Sequence, residues 1–257
     1  MRNRLLARIH LTLAALAALA APSAAFAQVR WEPSIGVDYS TGSYGATEDT
    51  EVLYVPVSLR ATNTRWRFDA TAPWLRIKGP AGSVIGGVVI PGGGPVTSRD
   101  GFGDVTLSAT YQLVEPVAGQ TQWELGVGTK LDTADEGLGT GETDYNVQLG
   151  VRHPLSERVS LMGSIGYQWL GDPSAFELED GPTAMIGVNY AHTPRANFGI
   201  QTTYRTAYLA GFDDQVMVNP YFRLDAESGW SLTGYATAGL TDTTPDFGVG
   251  FIVGRSF

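Results

Sequence analysis

Charged side chains recur at alternate positions of several polar–apolar segments, and they are the residues best placed to act on a passing solute. Charges on the wall of a water-filled passage set its ion preference and its local field. The same charges could instead pair with one another, because a charge removed from water needs a partner. The sequence leaves both roles open for nine candidate lumen-lining residues: Arg60, Arg65, Arg67, Asp69, Asp104, Glu124, Lys130, Arg205 and Arg223.

Two histidines, His153 and His192, were tested as members of a catalytic triad. Each stands in or beside a short turn, with a proline one or two residues further on. A triad needs a serine beside the histidine and an acid or amide on a neighbouring strand. Neither histidine has such neighbours in the predicted strands. The sequence therefore predicts no catalytic residue and no enzyme, and an outer-membrane lipid-modifying enzyme stays as an alternative.

Two further segments carry residue types that bind phosphate or metal elsewhere. Gly101-Phe102-Gly103 lacks the further glycine, the lysine and the helix of a phosphate loop, so it predicts a turn and a strand start. The acidic connection after Leu131 lacks the ligand spacing of a calcium loop. A solvated outer loop is favoured, with divalent cations bridging it to lipopolysaccharide phosphates as the alternative. The acids of this connection are Asp132, Asp135, Glu136, Glu142 and Asp144. We predict no metal and no cofactor.

The elements that must position these residues are strands. In FGDVTLSATYQLV, residues 102–114, apolar and polar side chains alternate, and successive side chains of a strand point to opposite faces. Leu107 and Tyr111 share the apolar face, and Asp104 and Thr110 share the polar one. Most of the predicted strands are near the roughly 9–11 residues that a tilted spanning strand needs. We predict twelve, at 30–39, 50–60, 64–76, 102–114, 120–131, 143–153, 158–169, 182–191, 196–206, 214–225, 229–240 and 246–257.

The connections between these strands alternate in length. The odd-numbered ones are long or elaborate except the last, near DTTPD, and the even-numbered ones are short turns such as ATN and PLSE. With both termini in the periplasm, the long connections face outside, as in bacterial outer-membrane barrels. A soluble sandwich has no reason to follow this parity. The Gly-rich connection 79–94 could fold inward as a plug or gate, or could extend strands above the membrane.

The N-terminal segment predicts export. Residues 1–27 carry Arg2, Arg4 and Arg8, an apolar stretch and the small-x-small site Ala25-Phe26-Ala27, as a secretory signal peptide does. The predicted mature chain, residues 28–257, has 14 basic against 26 acidic residues, a net charge of −12. So acidic a chain is a poor candidate for nucleic acid. It has no cysteine and no apolar run of roughly 18 residues, which excludes a disulfide framework and helical membrane spans.

These observations predict an all-β fold: a closed antiparallel transmembrane β-barrel of about twelve strands after the signal peptide. Only a closed barrel pairs every backbone group of strands that cross a bilayer. The alternating last strand ends on Phe257, which resembles the assembly signal of outer-membrane barrels; Arg255 departs from it, at a level where arginine can snorkel. We predict the outer membrane of a Gram-negative cell, with lipid, lipopolysaccharide and the barrel assembly machinery as partners.

Two stretches carry a family resemblance. GFGDVTLSATYQLV (101–114) is a Gly-x-Gly-Asp strand entry, and KLDTADEGLGTGETDYNVQLGV (130–151) joins two strands through an acidic, Gly-rich loop. Both are similar to stretches typical of the MetA-pathway of phenol degradation family of outer-membrane barrels. The resemblance implies a transporter of aromatic or hydrophobic compounds. It gives structural motif positions at Gly101, Gly103, Asp104, Gly139, Gly141 and Asp144.

The function predicted from the sequence is a porin-like channel for passive passage of small solutes. Polar inner faces on many strands favour a lumen that holds water. Aromatic or hydrophobic solutes follow from the family resemblance alone. A non-conducting structural or adhesive barrel, whose outer loops bind surfaces, is the other alternative.

Overall fold

The computed structural model describes residues 29–80, 83–85, 88–90, 95–174 and 177–257. The chain is all-β in these ranges. The strands are β1 (Arg30–Gly42), β2 (Thr50–Thr62), β3 (Trp66–Gly79), β4 (Ser83–Ile85), β5 (Val88–Ile90), β6 (Thr97–Phe102), β7 (Thr106–Gln112), β8 (Gln122–Lys130), β9 (Asp144–Pro154), β10 (Val159–Trp169), β11 (Gly181–Thr193), β12 (Ala196–Arg205), β13 (Gln215–Asp225), β14 (Trp230–Gly239) and β15 (Phe247–Arg255).

The strands close on themselves into one antiparallel barrel. Each barrel strand pairs with its neighbours in the chain, and β1 pairs with β15 over Ser34–Thr41, so no edge is left open. β6 and β7 pair in succession with β3 and form two halves of a single barrel strand. Within the described residues the barrel therefore has twelve strands, as the sequence predicts. β4 and β5 form a separate two-stranded sheet.

The outward face of the barrel is apolar and uncovered. Ile165 and Ile186 are 66 % and 60 % exposed, although both stand in the middle of long strands. A water-soluble protein rarely leaves so large an apolar surface bare, whereas a barrel in a bilayer needs one. Four exposed tryptophans stand at the first or second position of a strand at one end of the barrel, where a bilayer meets water: Trp31, Trp66, Trp123 and Trp230.

The two ends of the barrel differ in their connections, as predicted. One end, which we call the short-turn end, has the connections 63–65, 113–121, 155–158, 194–195 and 226–229. The other, the long-loop end, has the connections 43–49, 80–96, 131–143, 170–180, 206–214 and 240–246. Connection length differs between the ends as predicted except at 113–121, whose nine residues exceed the seven of 43–49 and of 240–246.

The predicted strand 102–114 is wrong at its beginning. The barrel strand starts at Thr97, and its ladder is interrupted between β6 and β7 at Gly103–Val105. Gly103 still donates to the Pro73 carbonyl at 2.9 Å, so the wall stays closed. The interruption has a local cause, because the Asp104 carboxylate accepts hydrogen bonds from Thr133 and Ala134 N–H groups and is drawn into the barrel mouth.

Two predicted features lie wholly or partly outside the described residues. The signal peptide 1–27 lies outside them, and so does much of the Gly-rich connection 79–94. Among the residues that are described, no helix has the length and apolar character needed to cross a membrane.

Candidate functional site

The charged side chains lie on the concave face of the barrel. Arg223 on β13 donates to Glu32 on β1 at 3.1 Å, although β14 and β15 separate the two strands. Side chains converge in this way only inside a curved sheet, since on the convex side they diverge. Ser231 and Gly254 of the intervening strands lie against the same Glu32 carboxylate. The alternating polar face is therefore the lumen wall.

Arginines and carboxylates form a chain of ion pairs on the wall of β2, β3 and β8. Arg60 donates to Asp69 at 2.6 Å, and Arg67 lies 3.4 Å from the other oxygen of the same carboxylate. Arg67 also lies 3.7 Å from Glu124 and donates to the Thr110 hydroxyl at 3.2 Å. These charges pair along the wall, and their side chains remain partly exposed.

Two further candidates lie nearer the short-turn end. Arg65 donates to the Gln112 carbonyl at 3.4 Å and lies 4.0 Å from Glu115 in the following turn. Arg223 joins Glu32 to Asp225, to which it donates at 3.0 Å. Both arginines therefore have a carboxylate partner.

Lys130 is the centre of a buried polar cluster at the long-loop end. Its ammonium donates to Asp104 at 3.1 Å and to the Thr140 hydroxyl at 2.9 Å, and it lies 3.4 Å from Asp144. The Glu142 carbonyl accepts a third hydrogen bond at 2.7 Å. The three charged side chains are no more than 5 % exposed. This cluster fixes the connection 131–143 to the strands β8 and β9.

Apolar side chains close the barrel mouth beside this cluster. Val52, Leu75 and Ile77 point inward from β2 and β3, and Tyr44 and Leu138 reach them from the connections 43–49 and 131–143. All five are buried, with at most 2 % exposure. Two of the long connections thus fold into the lumen. We call these five residues the mouth cluster.

Tyr44 gives the mouth cluster a measurable pH response. Burial raises the pKa of its phenol from about 10 to about 12, so the folded protein holds the proton more tightly than the unfolded chain does. Its contribution to stability is complete below pH 10 and falls as the pH rises to about 12. We expect tyrosine absorbance titration of the folded protein to lose one of its late-ionising phenols when Tyr44 is replaced in Tyr44→Phe. A titration curve unchanged by Tyr44→Phe would contradict this expectation.

Arg205 stands apart from the other candidates because it has a ring partner. Its guanidinium lies 3.3 Å from the centre of the Tyr208 ring, donates to Gln168 at 3.0 Å and donates to the Thr206 carbonyl at 2.8 Å. Leu178 packs on Tyr208, and burial raises the pKa of the Tyr208 phenol. The connections 170–180 and 206–214 are therefore also fastened to the wall.

A cavity of about 220 Å³ lies in the lumen below the Lys130 cluster. Its lining combines polar groups with apolar surface. The lining residues are Asp69, Thr106, Leu107, Ser108, Gly128, Thr129, Lys130, Asp144, Asn146 and Gln168.

A row of tyrosines that crosses β13, β14, β15, β1 and β2 was not predicted from the sequence. Tyr221 pairs with Tyr235 across β13 and β14, and the register continues through Gly250 and Asp38 to Tyr54. These five residues, which we call the tyrosine row, run obliquely around the lumen. Tyrosines stand on both faces of the strands, so their type gives no signal; glycines opposite them on neighbouring strands are the signal that could have found them.

Glycine is required where these rings lie flat on the wall. A Cβ atom at Gly250 would stand 2.3 Å from the Tyr235 ring, and one at Gly199 would stand 2.4 Å from the Tyr221 ring. The Tyr221 hydroxyl crosses Gly199 and donates to Asn189 at 3.0 Å. The two glycines therefore leave room for the Tyr235 and Tyr221 rings to lie against the wall, with their outer faces turned to the lumen.

The histidines and the acidic connection have structural contacts. His153 Nδ1 lies 2.8 Å from the Thr121 hydroxyl, and His192 contacts the rings of Tyr190 and Phe198. Asp135 accepts a hydrogen bond from the Phe102 N–H and so satisfies a backbone donor at the end of β6. Among the described residues, no group of three or more histidines or acids is arranged to hold a metal ion.

The predicted assembly signal continues the closing ladder. Phe257 donates to the Trp31 carbonyl at 2.9 Å, and its side chain is 68 % exposed. Arg255, which departs from the usual pattern, lies 4.9 Å from the Phe257 ring centre and 5.4 Å from the Trp230 ring centre. The arginine therefore rests on aromatic faces at the short-turn end.

A closed antiparallel barrel with an apolar outside and a polar lumen defines the class of outer-membrane β-barrel proteins. The family model described as "Putative MetA-pathway of phenol degradation" matches residues 27–253. The chain belongs to this family, and the resemblance found in the sequence is confirmed.

Solved structures with this fold have low sequence identity to the chain. The KdgM porin has a TM-score of 0.55 at 11% identity, covering 87% of this chain and 99% of its own. The translocator domain of the autotransporter NalP from Neisseria meningitidis has a TM-score of 0.51 at 12% identity, covering 99% and 97%. These likenesses show the fold. No curated protein matches the sequence.

Proposed function

We propose that the protein is a channel of the Gram-negative outer membrane through which small solutes pass without energy coupling. The outward apolar face would contact lipid and lipopolysaccharide, and Phe257 at the closing ladder would be read by the barrel assembly machinery. The observation that supports the channel is the accessible charged wall. The side chains of Arg60, Arg67 and Glu124 are 44 %, 36 % and 28 % exposed inside the barrel, so water in the lumen would reach them.

The solutes proposed are hydrophobic or aromatic compounds. The family description supports this class because it names phenol degradation. The tyrosine row supports it physically, since the faces of Tyr54, Tyr221 and Tyr235 offer stacking surfaces along the lumen. The ion pairs of Arg60, Asp69 and Arg67 would keep the neighbouring part of the wall, on β2 and β3, wet. Such a lumen would offer aromatic faces to a ring and, beside them, charged groups to a hydroxyl.

Single-channel recording tests the proposal. We expect the purified protein to give discrete current steps in a planar bilayer. Phenyl glucoside should reduce the current at a lower concentration than methyl glucoside, because the two carry the same sugar and differ in the ring. Tyr235→Leu should narrow that difference, while Tyr145→Leu, on the outward face, should leave it unchanged.

Silence from protein that is folded, judged by heat-modifiable migration, would reject the channel and favour the non-conducting barrel. If the two glucosides reduce the current of a conducting barrel at the same concentration, the aromatic solute class is rejected but the channel is not.

A further inference from the structure

Asp38 occupies a special place on the lumen wall. It points inward from β1 and is half-buried, and its register partners are Gly250 on β15 and Tyr54 on β2. Tyr235 pairs with the same glycine from the other side. Because Gly250 has no side chain, the Tyr235 ring crosses it and brings its hydroxyl to the Asp38 carboxylate. Two phenol rings therefore flank one carboxylate.

This carboxylate has no basic partner among the described residues, in contrast to the other inward-pointing acids. Glu32 pairs with Arg223, Asp69 pairs with Arg60, and Asp104 pairs with Lys130. The segments within 81–94 and at 175–176 that the structure leaves undescribed contain no lysine or arginine. Among the described residues, Asp38 is thus an inward-pointing carboxylate between aromatic rings with no cation paired to it.

From this geometry we propose that Asp38, Tyr54 and Tyr235 form a binding site for organic ammonium ions. A carboxylate supplies the counter-charge, and the electron-rich faces of phenol rings attract alkylated ammonium groups. The site goes beyond passage of neutral aromatic solutes, and it exists whether or not the lumen conducts.

Other ligand chemistries fit this arrangement less well. A calcium or magnesium ion is held best by several carboxylate and carbonyl oxygens, whereas this arrangement offers one carboxylate and two neutral phenols. An anion would meet the unpaired charge of Asp38 and be repelled. A neutral hydroxyl compound could donate a hydrogen bond to the carboxylate, but it would leave the charge of Asp38 without a counter-charge. The charge and the rings together select a cation.

Isothermal titration calorimetry of the protein in detergent tests the site. The two ligands are choline and dimethylbutanol, an uncharged isostere in which a carbon atom replaces the choline nitrogen. The full-length gene product, purified folded from membranes, is expected to bind choline and not the isostere. Asp38→Asn should weaken choline binding about tenfold or more, because it removes a charge at close range. Tyr235→Leu should weaken it several-fold by removing a ring. Asp225→Asn, an inward acid that is paired with Arg223, is the matched control and should leave binding unchanged.

Equal binding of choline and the isostere, or no choline binding, would overturn the proposal without any variant. Unchanged binding in folded Asp38→Asn would also overturn it. The binding measurement does not depend on current. Choline binding to a barrel that gives no current would support this site and reject the channel. A conducting barrel that does not bind choline would support the channel and reject this site.

Discussion

Replacing Lys130 by methionine is expected to destabilise the barrel by about 3–5 kcal/mol, because it leaves two buried carboxylates without a cation. Asp104 and Asp144 are each 3 % exposed at their side chains and both face the Lys130 ammonium. Methionine keeps most of the volume of the lysine stem, so the effect reports the lost charge and hydrogen bonds. Denaturant unfolding in lipid vesicles, followed by tryptophan fluorescence, measures the difference.

Lys78→Met supplies the matched control. Lys78 donates to Glu51 at 2.9 Å, a distance shorter than that of the Lys130–Asp104 pair, but its side chain is 57 % exposed. An ion pair so open to water contributes little to the free energy of unfolding, because solvent screens it. If both variants lost the same small amount of stability, the buried cluster would have no special role in holding the connection 131–143.

Removing the mouth cluster is expected to widen the passage. The double variant Tyr44→Ser, Leu138→Ser deletes the two side chains that reach from the connections 43–49 and 131–143 onto Val52, Leu75 and Ile77. Each large-to-small change in a packed core costs about 2–5 kcal/mol, so the two connections should detach from the mouth. Single-channel conductance should rise several-fold, with longer open times.

A lipid-facing change controls for effects of the detergent or the insertion step. Leu59→Ser alters an outward side chain of β2 that is 43 % exposed, and it should leave conductance as it is. A double variant that is folded yet conducts like the parent would show that solutes do not pass the mouth cluster.

The backbone architecture was predictable because its signals are local. Alternation, strand length and connection length are all properties of short segments, and they gave the twelve barrel strands and the two unlike ends. The extension of the fourth barrel strand back to Thr97 was missed, since TSRDGF lacks the apolar alternation that marks the other strands. The strand exists because β3 offers it a pairing edge.

The arrangement of the site was only partly predictable. The sequence put Lys130 and Asp104 on polar faces, but their contact depends on the register of β7 against β8 and on a connection that turns inward. Tyr44 holds a left-handed backbone, with φ of 50°, which packing in the mouth stabilises and sequence does not reveal. The sequence does not distinguish Asp38 from the other acids, because only the structure shows that no described basic residue pairs with it.

The pairing of β1 with β15 has a consequence for how the molecule assembles. Ile35 and Val253 are ladder partners, although the whole barrel lies between them in the chain. Contacts across this seam join residues far apart in the chain, and contacts of this kind form late because loop-closure entropy is lost first. Until the last strand is available, the growing sheet has two unsatisfied edges that would pair with other chains. Closure therefore comes last in folding, and until then both edges of the open sheet are free to pair with other chains.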